Sequence, residues 1–293
     1  MLSQQLFNGL VVGSTYALFA LGFTTMFGVL GVINLTYGFY FSVGALLSLW
    51  ITQTLGVPVW AALLLAATGA GLLAVVIDAL LLTRLRRARA PELASLMVTL
   101  GATLLLYSLS SSLLGVDIRR FPSAAIDSSA FDIAGVRVSV TQLLIVAAAF
   151  LLVGGLIYLM QGTRMGLGIR ALAERPETAE LMGVNTGAIT RLVSFVSGFL
   201  GGAAGVLIGL NYNAIQPFMG EQMMLKGFAV IILGGLGDAR GALVAGLVVG
   251  MLETLTAGYI ASTWKDAVGF ALLVLTLWIR PSGLFGRAAV KRA

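Results

Sequence analysis

Cysteine and histidine are both absent from this 293-residue chain, and the two absences remove whole classes of chemistry. Without cysteine there is no disulfide framework, and without either residue the usual zinc, haem and Ser-His sites cannot be built. Charge is scarce as well. Asp, Glu, Lys and Arg together make up 10% of the residues, against about 25% in soluble domains. Hydrophobic residues reach 59% and the mean hydropathy is +1.01, so the solvent for this fold is lipid. Lysine is the scarcest cation. Lys226, Lys265 and Lys291 follow Leu225, Trp264 and Val290, whereas a phosphate-gripping loop needs Gly-Lys followed by Ser or Thr. If ATP drives the system, another chain binds it and its Mg. A channel or an ion-coupled carrier needs no such chain, and both stay open on this ground. Met1 to Gln5 carries no Lys or Arg and no small-residue cleavage pattern, so the first apolar run is expected to stay in the mature protein.

What is present is a succession of apolar runs close to the length of a bilayer span, about 20 residues. Runs and breakers place nine segments at about 6–27, 34–51, 59–82, 93–114, 141–160, 192–210, 223–236, 242–256 and 267–279. Backbone groups in lipid must be paired within the segment, and the alternation of a membrane barrel is missing. The expected fold is all-α, a single polytopic bundle over residues 1–293 with eight or nine membrane segments, some short or broken; the pair at 223–256 could be re-entrant.

The net charge of +6 is explained by placement rather than by nucleic acid. Alternate loops on one side collect Arg84, Arg86, Arg87, Arg89, Arg164, Arg170, Arg175, Arg191, Arg240, Arg280, Arg287, Lys291 and Arg292, leaving Arg119, Arg120, Arg137, Lys226 and Lys265 for the other. The positive-inside rule then sets the N-terminus outside and the C-terminus in the cytoplasm. Arg84 to Arg89 reads as an anchor for membrane lipid, with Asp78 nearby as an arginine partner. Residues 115–140 form an outer loop, including a stretch from Phe131 to Val138 that reads as a small hairpin, and residues 161–191 form a cytoplasmic loop.

Glycine, at 37 residues, recurs every four positions at Gly9 and Gly13, at Gly201, Gly205 and Gly209, and at Gly246 and Gly250. Small residues at that spacing let helix backbones approach in lipid, so these glycines predict tight packing.

The cytoplasmic loop reads as a short helix, a break at Pro176 and a second short helix. Such a unit across the ends of two membrane helices would pass on a rigid-body movement of a motor subunit. Within it Glu177-Thr178-Ala179-x-x-x-Gly183 is similar to the coupling loop of ABC importer permeases, with Thr178 in place of an alanine. Other stretches occur in order: Asn8-Gly9, Gly13 to Ala17, Gly28 to Asn34, Thr99 to Gly101, Gly168 to Ala171, Leu225 to Phe228, and Gly234 to Gly237 followed by Gly241 and Glu253. From about Gln5 to Gly286 the chain resembles the branched-chain (hydrophobic) amino-acid ABC importer family, the shorter of its two paralogous permeases. That resemblance implies a second homologous permease chain, two ATP-binding subunits, a periplasmic substrate-binding protein and a bacterial inner membrane. It makes Arg170, Glu177, Ala179, Leu181, Met182 and Gly183 the candidates for ATPase coupling, and implies no catalytic residue, no metal and no cofactor on this chain.

One stretch departs from the family. Its usual Asn-Phe-Ala-His-Gly-Glu reads here Asn34-Leu35-Thr36-Tyr37-Gly38-Phe39, which keeps a permease for urea, short amides or aromatic acids open as the substrate alternative. Following a break at Gly28 and Gly31, a helix that begins within the membrane would present free N–H groups and its positive dipole end. Asn34, Thr36 and Tyr37 are therefore candidates for the substrate path, the plainer alternative being that Asn34 caps its own helix. Lys226 and Glu253 lie on successive segments, about 11 and 14 residues from the turn between them, so their depths differ by about 5 Å. They are expected to pair as a structural ion pair.

Overall fold

A computed structural model describes residues 1–88, 90–122, 129–133, 135–280 and 282–286. Arg89, Arg287, Lys291 and Arg292, used above for orientation, lie outside the described residues, as do 123–128 and 134 of the outer loop.

The first helix, α1 (Leu2–Leu30), is 29 residues long, or about 44 Å at 1.5 Å per residue, which exceeds the roughly 30 Å hydrocarbon core. It stops at Gly31, whose φ of 64° suits a residue without a Cβ. The chain then turns back through Ile33 and Asn34 before α2 (Tyr37–Leu55) begins. Tyr37 packs beside Phe19 and Phe23 rather than beside the end of α1. The second helix therefore starts inside the bundle, three residues later than the apolar run suggests, because the backbone from Gly31 to Thr36 is used to re-enter.

Next come α3 (Val59–Ile77), a π turn over Asp78–Leu82 and α4 (Thr83–Arg87), which together form one span. Helix α5 (Glu92–Leu114) leads to an antiparallel hairpin of β1 (Ala130–Ile133) and β2 (Val136–Ser139), with Phe131 opposite Val138. Helix α6 (Val140–Gly162) opens with a capping box of Ser139 and Gln142. The loop helices α7 (Arg164–Glu174) and α8 (Pro176–Leu181) precede α9 (Thr186–Tyr212), and α10 (Met219–Gly234), α11 (Ala239–Tyr259) and α12 (Lys265–Ile279) complete the chain.

Among the described residues eight helices are long and apolar enough to cross a membrane. With α10, 16 residues long, they correspond one to one with the nine expected segments. Several helix ends run past the apolar runs, as at Thr186, where Asn185 Oδ1 accepts the Ala188 N–H at 3.0 Å and starts α9 six residues before Leu192.

Burial sorts the bundle. The apolar windows of α1 and α9 are 89% and 78% buried, those of α5, α6 and α12 only 17%, 22% and 11%, so α1 and α9 form the centre and the other three present their sides outward. Glycines make the central contacts. A Cβ at Gly13 would lie 2.9 Å from the Leu247 Cα, and one at Gly38 would lie 2.6 Å from the Gly220 carbonyl, so α1 meets α11, and α2 meets α10, backbone to backbone. At one end of the bundle the Gln4 side chain exchanges hydrogen bonds with the Arg137 backbone at 2.8 and 2.9 Å, tying the start of α1 to the hairpin. At the other end Ile169 and Leu172 of α7 pack on Val29, Leu30 and Val193.

Candidate functional site

Four side chains from four helices meet toward the hairpin end of the bundle, within two turns of the end of α11 and in the first turn of α12. Lys226 Nζ of α10 lies 2.7 Å from Glu253 Oε2 of α11 and 2.8 Å from Asp266 Oδ1 of α12. The Tyr16 hydroxyl of α1 donates to Glu253 Oε2 at 2.8 Å and is 3.0 Å from Lys226 Nζ. The Glu253 side chain is 6% exposed and that of Lys226 16%, while Asp266 is 52% exposed. Burying either charge alone would carry a penalty of several kcal/mol, which close pairing and hydrogen bonding offset. The Lys226 and Glu253 contact follows from the antiparallel turn at Gly235 to Asp238. Sequence reasoning missed Tyr16 and Asp266, which come from helices that no local spacing relates to that turn.

Three cavities open near this cluster and toward the hairpin end. One of about 240 Å³ is bordered by Tyr16, Phe41, Met219, Met223, Lys226 and Lys265. A second of about 430 Å³ reaches Glu253 and is lined by polar residues such as Gln5, Asn8, Gln142 and Asn211; Tyr212 and Lys265 border both. A third, of about 690 Å³, lies beneath Arg137 and Ser139.

Asn34, Thr36 and Tyr37 occupy a different place. All three are fully buried and border none of these cavities. Asn34 Oδ1 accepts the Thr36 N–H at 2.9 Å and the Thr36 hydroxyl at 2.5 Å, and the Tyr40 hydroxyl lies 2.9 Å from Thr36 Oγ1. This is an Asx turn ahead of the helix; the cap position of α2 belongs to Thr36, whose own side chain makes no cap bond. Tyr37 donates to the Phe19 carbonyl at 2.8 Å and stacks on Phe23 at 5.1 Å. The side-chain polar groups of Asn34, Thr36 and Tyr37 are satisfied by one another, by Tyr40 and by α1.

At the opposite end, α7 and α8 form a two-helix unit. Thr163 Oγ1 accepts the Gly166 N–H at 3.0 Å to start α7, Pro176 opens α8, and Gly183 ends it with a φ of 83°. Leu181 and Met182 stand 87% and 81% exposed, side by side on its tip. Glu177 is exposed as well, whereas Ala179 faces inward at 5%. The Arg170 guanidinium donates to the Met160 carbonyl, satisfying the C-terminal end of α6. Near this end Asp78, fully buried at the π turn, pairs with Arg86 at 2.6 Å.

Comparison with known proteins agrees in extent and kind. The family model described as the permease component of the branched-chain amino acid transport system matches residues 5–277. The high-affinity branched-chain amino acid transport system permease protein LivH of Escherichia coli K12 is 32% identical over 99% of this chain and 97% of its own. BraD of Pseudomonas aeruginosa, likewise a high-affinity branched-chain amino acid transport system permease protein, is 32% identical with the same coverage. A protein of Methanocaldococcus jannaschii named as a probable branched-chain amino acid transport permease is 28% identical over 95% of this chain and 91% of its own. No solved structure matches. Match and identity both run almost the whole length of the bundle, and the chain belongs to the family of branched-chain amino acid transport system permease components.

Proposed function

We propose that this chain is one permease half of an ATP-driven ABC importer in a bacterial cytoplasmic membrane, moving branched-chain or other small amino acids. Its expected partners are a second homologous permease, two ATP-binding subunits that hold ATP and Mg, and a periplasmic substrate-binding protein. The N-terminus and the hairpin face outward and the α7–α8 loop faces the cytoplasm. Transport is alternating access: the loaded receptor docks at the hairpin end, and closure of the ATP-binding subunits pushes on the loop. Family membership supports this reading, as does the lack of any Gly-Lys step for binding nucleotide. The observation that carries the coupling is the exposed Leu181 and Met182 pair on a proline-started, glycine-ended helix, since large apolar side chains held out on a rigid tip are suited to a pocket on another protein. Glu177 on the same helix supplies a charge at its rim.

Co-purification tests it. The tagged chain, expressed with its neighbouring subunits, is expected to bring down an ATPase, and Leu181→Asp with Met182→Asp is expected to release that ATPase while leaving the unfolding temperature of the chain unchanged. Uptake by the chain alone in liposomes, driven by an ion gradient, would favour a carrier instead.

A further inference from the structure

The cavity of about 240 Å³ joins two chemistries that an ion pair with a purely structural role does not require together. Its lining includes Phe41, Ile208, Met219 and Met223, and the same cavity is bordered by Lys226 and Lys265. Lys226 has two carboxylate partners, but Lys265 has no ion pair among the described residues. The volume falls just below the roughly 300–1,000 Å³ of pockets for drug-sized ligands, which suits a smaller solute carrying one apolar group and one anionic group. Ionisable residues in a membrane bundle are retained where they pair with one another or line a solute path; this cluster pairs internally and its Lys226 borders a cavity.

We propose that the cavity is a receiving site for the transported amino acid, with the solute carboxylate on Lys265 and Lys226 and its apolar side chain against Phe41, Ile208, Met219 and Met223. Glu253, held by Tyr16, and Asp266 keep Lys226 in position. The zwitterion has no net charge, so loading carries none into the membrane. This inference rests on the importer reading and names a site within it.

The test uses the assembled complex in liposomes, with its receptor and ATP. The diazirine analogue photo-leucine is supplied, the sample is illuminated and the crosslinked peptides are mapped by mass spectrometry. Labelling of Phe41, Ile208, Met219 or Met223, competed by leucine, is the expected result. In parallel, Lys265→Met is expected to slow leucine uptake about tenfold, the loss of one contact to a charged group. Lys265→Arg should restore most of the rate, a rescue that a packing role would not give. ATP-driven leucine uptake with labelling confined to other residues, or undiminished in Lys265→Met, overturns this site and leaves the importer standing. A complex that carries its ATPase yet moves no amino acid overturns both. Should Lys265→Met fail to assemble, the photolabelling on unaltered protein still decides.

Discussion

Lys226 is held by two carboxylates and Glu253 by one ammonium, and that asymmetry sets the response to substitution. Lys226→Met leaves Glu253 buried without its cation, a loss of about 3–5 kcal/mol. Glu253→Gln leaves Lys226 paired with Asp266 and keeps an acceptor for Tyr16, so the loss is smaller. Thermal unfolding in detergent should place Lys226→Met well below Glu253→Gln; equal midpoints would mean that Asp266 does not hold the lysine. Tyr37 offers a quieter case. Its hydroxyl donates to the Phe19 carbonyl, so Tyr37→Phe should lower stability by about 1 kcal/mol, measured by the same melt, and no change would remove that bond from the description of the break. The pairing of Lys226 with Glu253 could be read from sequence because one short turn joins their helices and fixes their relative depth. The Asp266 and Tyr16 contacts could not, since tertiary packing alone brings α12 and α1 to the same point.

Helices in this bundle meet through glycine or present glycine outward, and the two kinds respond in opposite directions. A Cβ at Gly13 would press on the Leu247 backbone, whereas one at Gly154 of α6 has nothing within 4 Å. Gly13→Ala should therefore cost about 1–3 kcal/mol through overpacking of α1 against α11. Gly154→Ala should be neutral or gain up to about 1 kcal/mol from helix propensity. Unfolding midpoints of the two variants check this, and a matched loss in both would refute the assignment of α6 to the periphery. The number and order of the segments were legible because each apolar run is bounded by charges or breakers. Their ends were less so, since caps such as Asn185 extend a helix through polar residues. The glycines mark a break before the second helix, but neither hydropathy nor spacing shows that it runs on through Thr36, because Leu35 is as apolar as the helix that follows.

For the molecule as a whole, the lack of native cysteine makes any introduced thiol unique. Leu181→Cys at the loop tip and Phe131→Cys on the hairpin are both well exposed positions at opposite ends of the bundle. An impermeant maleimide should label Phe131→Cys in intact spheroplasts and Leu181→Cys only in inverted vesicles; the reverse pattern would turn the orientation over and take the coupling proposal with it. Between those two ends α9 runs through 27 residues without a break, about 40 Å at 1.5 Å per residue. Asn185 fastens its first turn at the loop, and past its last turn Asn213, at a φ of 45°, accepts the Phe121 N–H at 2.9 Å while Ile215 bridges to Arg119. Such an element is a connecting rod with a clasp at each tip. Tilting it at one rim must shift the segment around Arg119 and Phe121 at the other in a single stroke, with no joint along its length to absorb the travel.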